Sequence, residues 1–174
     1  IVFPTDFSET ANEARKTAAA IAKKFGAEIY ICHVVPNIMI DPEHERFGST
    51  TVFPSLDDVS TILNEFNLDY RLKEKLENEM SYFGSMGIST AAYSAFGSVS
   101  DRVNAMVKEF DCDLIVLGTN GTTSISEEFI GSNAFQVCKW AKVPVITVRR
   151  FNDFENKRII LATDFNNEEV GKVL

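Results

Sequence analysis

Apolar residues recur along this chain in two alternating rhythms, short unbroken runs and longer stretches at helical spacing. Ile1, Val2 and Phe3 form a run that ends at Pro4, Thr5 and Asp6. Ser8 then stands where a helix cap belongs, and Ala11, Ala14, Ala18, Ile21, Ala22 and Phe25 follow a period of 3.6 up to a stop at Gly26. Glu28 to Val35 is nearly all apolar and rich in β-formers, as in a strand buried on both faces. Prolines and Gly48 between Pro36 and Ser55 predict a long loop. A helical pattern follows from Leu56 to Ser85, with a bend or interruption between Asn64 and Asn67.

The same alternation continues. Ile88 to Ala95 reads as a strand and Val99 to Phe110 as a helix. Leu114 to Leu117 is a strand broken at Gly118, and Gly131-Ser132 opens a helical segment through Ala134, Phe135, Val137, Cys138 and Ala141. Val143 to Val148 is the last strand, with Pro144 near its start, where a missing donor is tolerated. Strand and helix alternating in this way predict a three-layer α/β/α sandwich around a five-stranded, mostly parallel sheet.

That unit fills residues 1–150, and residues 151–157 read as a polar linker. From there the chain repeats itself: Ile159 to Asn166 matches Ile1 to Ser8 at an offset of 158 residues, sharing Thr-Asp-Phe behind the same apolar lead-in. Residues 158–174 are therefore expected to open a second, truncated copy of the domain in a tandem protein.

Composition narrows the function. A net charge of -8 and a pI near 4.8 argue against a nucleic-acid backbone or an anionic membrane as partner, since both require a basic face. Cys32, Cys112 and Cys138 lie in or beside apolar runs, the usual setting of reduced core thiols. Neither a metal-ligand spacing nor a bilayer-length apolar run occurs, and no signal peptide is present, which makes a cytoplasmic location the expectation.

The candidate chemistry centres on the segment from Gly118 to Asn133. Two residues separate Gly118 from Gly121, and nine separate Gly121 from Gly131-Ser132. A strand running into glycines and then a helix suits an anion, because bare backbone amides and the positive end of the helix dipole converge there. The spacing is neither that of a dinucleotide fingerprint nor that of a P-loop. The same residues are also compatible with simple turns and a Ser132 cap. Asp6 has two readings, a turn residue bonding its own backbone or a ligand contact at a strand's carboxyl end. His33 reads as a packed strand residue.

Taken together these motifs resemble the universal stress protein family. Pro4 to Thr10, Cys32 to Val35, Asp113 to Gly118, the Gly118-Gly121-Gly131-Ser132 pattern and Pro144 to Val148 agree with it in order and spacing. The resemblance covers residues 1 to about 150 and restarts near 158. It implies the adenine-nucleotide alpha hydrolase-like variety of Rossmann-like fold, pairing as a homodimer or intramolecular pseudo-dimer through Val143–Val148. It also implies an adenine nucleotide as ligand: ATP, or AMP or ADP, with Mg²⁺ a further candidate. Carried over by position, Pro4, Thr5, Asp6 and Val34 stand for the base and ribose contacts. Leu117, Gly118, Asn120, Gly121, Gly131, Ser132 and Asn133 stand for the ribose and phosphate loop. The alternative is an interaction scaffold of the same fold that needs no nucleotide. No catalytic residue is assigned. Slow ATP hydrolysis or self-phosphorylation at Ser124 or Ser126 is the most an enzymatic reading allows, because no lysine or arginine occurs in the loop.

Overall fold

The computed structural model describes residues 1–35, 69–119 and 130–151. Among them are five strands and four helices in strict alternation: β1 Val2–Pro4, α1 Glu9–Phe25, β2 Ile29–Val35, α2 Asp69–Gly84, β3 Thr90–Phe96, α3 Val99–Glu109, β4 Ile115–Gly118, α4 Ser132–Trp140 and β5 Val145–Val148. The sheet order is β3-β2-β1-β4-β5, and every pair is parallel. The predicted long loop, the first part of the Leu56 to Ser85 helix, the linker after Phe151 and the second-copy start lie outside the described residues.

Local chemistry sets the element ends. Ser8 begins α1 by accepting from the Ala11 amide, and Gly26 ends it in the left-handed conformation, with φ of 65°. Ser98 caps α3 in the same way. On one face of the sheet the alanines of α1 and Leu72, Leu76 and Phe83 of α2 cover Phe3, Ile29, Ile31 and Val116. Phe3 meets Phe83 edge to face, with ring centroids 5.8 Å apart. On the other face Val103, Met106 and Val107 of α3, with Ala134 and Val137 of α4, cover Val2, Cys32, Ile115 and Leu117. Burial on both faces is the reason these strands read as continuous apolar runs.

The helical period of α4 divides differently from expectation. Ala134 and Val137 point inward, whereas Phe135 and Cys138 are exposed. Cys32 and Cys112 are core thiols as their setting suggests, and Cys138 is not. A nine-residue helix lying on one sheet face buries one narrow stripe, so it cannot bury every apolar position it carries. Among the described residues no helix is long and apolar enough to cross a membrane.

Candidate functional site

β1 and β4 are neighbours in the sheet, yet β1 leads to α1 on one face and β4 leads to α4 on the other. A crevice opens at the carboxyl ends of two such strands, and open α/β sheets place their ligands there. The residues around it come from three elements.

The first is the turn after β1. The Thr5 amide donates to the Cys32 carbonyl at 2.8 Å, extending the β1–β2 pairing one step past the strand. Thr5 Oγ1 accepts from the Phe7 amide at 3.0 Å, and Asp6 Oδ1 accepts from the Ser8 amide at 3.0 Å. These bonds close a tight turn that leaves Asp6 exposed at the crevice. Phe7 adopts a left-handed conformation, with φ of 62°, which costs a side-chain-bearing residue about 1–2 kcal/mol. Its ring lies against His33, at 4.8 Å between centroids, and Lys75 Nζ is 5.0 Å from the ring centre.

The second is β2. Val34 is half-buried near its carboxyl end, facing the α3 and α4 side. His33 beside it faces α1 and α2, and its Nδ1 lies 2.8 Å from the Thr5 carbonyl oxygen. A carbonyl only accepts, so Nδ1 carries the hydrogen.

The third is the junction of β4 and α4. The Thr119 amide donates to the Val148 carbonyl at 3.0 Å, and the Gly131 amide donates to the Thr119 carbonyl at 2.6 Å. The start of α4 is thereby drawn back onto the tip of β4. Gly131 is the cap residue and has no side chain with which to satisfy the first-turn amides, so among the described residues no side-chain cap covers the positive end of α4 at the crevice. Ser132 is the first helical residue and does not cap, contrary to one of its two sequence readings. Ser132 and Asn133 are both exposed.

Of the eleven residues marked from sequence, Pro4, Thr5, Asp6, Val34, Leu117, Gly118, Gly131, Ser132 and Asn133 are described, and all lie at the carboxyl end of the sheet or at the start of α4. Asn120 and Gly121 lie outside the described residues. Gly118 has a packing role as well. A Cβ there would stand 2.8 Å from the Thr10 carbonyl carbon and 2.9 Å from the Ala11 nitrogen, so the first turn of α1 rests directly on it. Two side chains not marked from sequence also reach this end: His33, and Arg102, whose Nε donates to the Phe96 carbonyl at 2.8 Å at the tip of β3. A polar residue late in a buried strand was the available signal for His33. Among the described residues no cluster of metal-ligating side chains occurs.

Burial holds His33 below its ordinary value of 6.5, against the pull of the Thr5 carbonyl and of Asp6, while Lys75 adds to the depression. On acidification the unfolded chain therefore takes up this proton before the folded one does. Stability contributed by His33 is present above about pH 6.5 and is lost as pH falls through the folded value. Burial raises Glu79 above 4.5, which gives the opposite slope in the adjoining window. Urea midpoints measured from about pH 7.5 to pH 5 should fall more steeply for the wild type than for His33→Asn. Parallel curves would contradict this assignment.

A profile of the universal stress protein family matches residues 1–149. The chain belongs to the universal stress protein family. It is 31% identical over 151 residues to universal stress protein G of Shigella flexneri, covering 86% of this chain and 97% of that one. The solved structure of MJ0577, a universal stress protein of Methanocaldococcus jannaschii, superposes with a TM-score of 0.66 at 25% identity, covering 87% of this chain and 96% of that one. Two more distant members, each 20% identical, share the fold at TM-scores of 0.60 and 0.58; they cover 85% of this chain, and it spans 94% and 95% of them. The first was solved in complex with cAMP and the second, from Archaeoglobus fulgidus, in complex with dAMP.

Proposed function

We propose that this protein is a nucleotide-holding stress-response module whose ligand is an adenine nucleotide lying across the carboxyl ends of β2, β1 and β4. The observation that carries this reading is the meeting of Thr5, Asp6, Gly118 and the uncapped start of α4 at one switch point. The uncapped amides suit a phosphate, and the side near Asp6 and Val34 suits the base and ribose. The cAMP and dAMP complexes of related folds support the ligand class. ATP, with Mg²⁺ as its counter-ion, is the form favoured here, and it is held rather than turned over, since no lysine or arginine occurs from Gly118 to Asn133.

Calorimetry and thermal melting with ATP and with AMP, each with and without Mg²⁺, test the reading. Nucleotide at a hundred times its dissociation constant should stabilise the fold by about 2.7 kcal/mol. Gly121→Asp should abolish the heat, because it sets a carboxylate in the glycine pattern that the family resemblance assigns to the phosphate. No heat and no shift in melting at millimolar ATP would end the proposal.

A second reading rests on β5. Among the described residues it is one of the two edges of the sheet, and its residues Val145, Ile146 and Thr147 remain partly exposed. Such an edge suits pairing with a second copy of the chain, or with a tandem neighbour following residue 158. Assembly would then survive Gly121→Asp unchanged.

A further inference from the structure

We propose that His33 is a positioning residue of this site, fixing the Thr5–Ser8 turn that presents Asp6 to the ligand. The proposal rests on the nucleotide reading above and adds to it a residue outside the pocket wall.

Thr5 is held at three atoms. Its amide donates to the Cys32 carbonyl, its Oγ1 accepts from the Phe7 amide and its carbonyl accepts from His33 Nδ1. Only the bond to the Phe7 amide belongs to the local path of the chain. The other two tie Thr5 to β2, which is paired on both sides by β1 and β3: the amide bond to Cys32 continues the sheet pairing, and the bond from the His33 side chain, 28 positions away, holds the carbonyl that leads into the turn. The same imidazole lies against the ring of Phe7, tilted by 33°, with Lys75 of α2 near that ring as well. His33 therefore grips the turn twice, once through the carbonyl that precedes Asp6 and once through the side chain that follows it. Phe7 is the turn residue in the left-handed conformation, so the direction in which Asp6 leaves the turn depends first on the hydrogen bond to the Thr5 carbonyl, with the ring contact a smaller addition.

The two contacts are separable. His33→Asn places an amide donor near the position of Nδ1 and removes the ring. His33→Phe keeps a ring against Phe7 and removes the donor. Amide hydrogen exchange at Phe7 and Ser8 is read in ligand-free protein, and AMP and adenosine affinities are read by calorimetry on the same samples. His33→Phe should speed exchange at both amides and weaken AMP and adenosine alike by about tenfold, the scale of one lost hydrogen bond. His33→Asn should stay within about threefold of the wild type on both measures. Wild-type exchange and affinity in His33→Phe would overturn the proposal, as would equal loss in the two variants. A wild-type protein that binds neither of these ligands nor ATP would overturn the nucleotide reading and, with it, the role in binding. That failure is distinct, because the exchange comparison needs no ligand.

Discussion

Gly118→Ala should lower the stability of the fold by about 3 kcal/mol or more, at or beyond the upper end of what overpacking usually costs. The added methyl group would meet backbone rather than a yielding side chain: Thr10 carbon at 2.8 Å, Ala11 nitrogen at 2.9 Å and Thr10 oxygen at 2.9 Å. Relief requires the first turn of α1 to lift from β4. That turn follows the Ser8 cap and the Thr5–Phe7 turn, so the disturbance spreads into the site. Melting temperature should drop by roughly 6–12 °C for a protein of this size. Gly84→Ala is the control, since a Cβ there meets nothing within 4 Å and alanine suits the last position of α2. Equal melting of Gly118→Ala and the wild type would contradict the packing role. The expected result also bears on function, because lost nucleotide binding in a Gly118 variant would not by itself demonstrate a ligand contact.

Glu79→Ala should cost about 3 kcal/mol, the lower end for breaking a buried ion pair, because Arg15 keeps some contact with water. Arg15 of α1 donates from Nη1 to Glu79 Oε1 of α2 at 3.1 Å, with side chains 22% and 6% exposed. The guanidinium carbon also lies 4.0 Å from the centre of the Tyr82 ring. The pair is incompletely satisfied: among the described residues, Arg15 Nε and Glu79 Oε2 are buried without a hydrogen-bond partner. Burial therefore outweighs the attraction of Arg15 and raises the Glu79 carboxyl above its ordinary value. Truncating Glu79 leaves the guanidinium without its counter-charge. Replacing both residues together, Arg15→Met with Glu79→Leu, should recover most of the loss, since two apolar side chains of similar size need no partners. A double-mutant cycle by urea unfolding reads both expectations, and additive losses would refute them.

The architecture was readable from the rhythm of apolar residues because the central strands β1, β2 and β4 are covered on both faces and each helix follows a turn. Ser8 and Gly26 mark real caps, and their chemistry is local. What the rhythm could not show is which way an individual position faces. Phe135 and Cys138 share the spacing of Ala134 and Val137, but only the latter pair meets α3 and the sheet. The candidate site was legible to the extent that it is built from backbone: glycines, strand ends and a helix start. His33 and Arg102 were not, because their partners are the carbonyls of Thr5 and Phe96. Any residue type can supply a carbonyl, so no pattern of side chains announces such a bond. Gly118 shows the converse. Its loop position suggested a ligand, while a second reason for its smallness lay in the first turn of α1, far away in sequence.

The bond from the Gly131 amide to the Thr119 carbonyl ties together the two ends of the intervening stretch. With the anchor points fixed by the fold, doubling the number of residues between them would add only about 0.6 kcal/mol of closure entropy. Fold stability is thus nearly independent of how many residues join these two points. Under the proposed function, a change of sequence between them would alter which nucleotide is held while β4 and α4 keep their register.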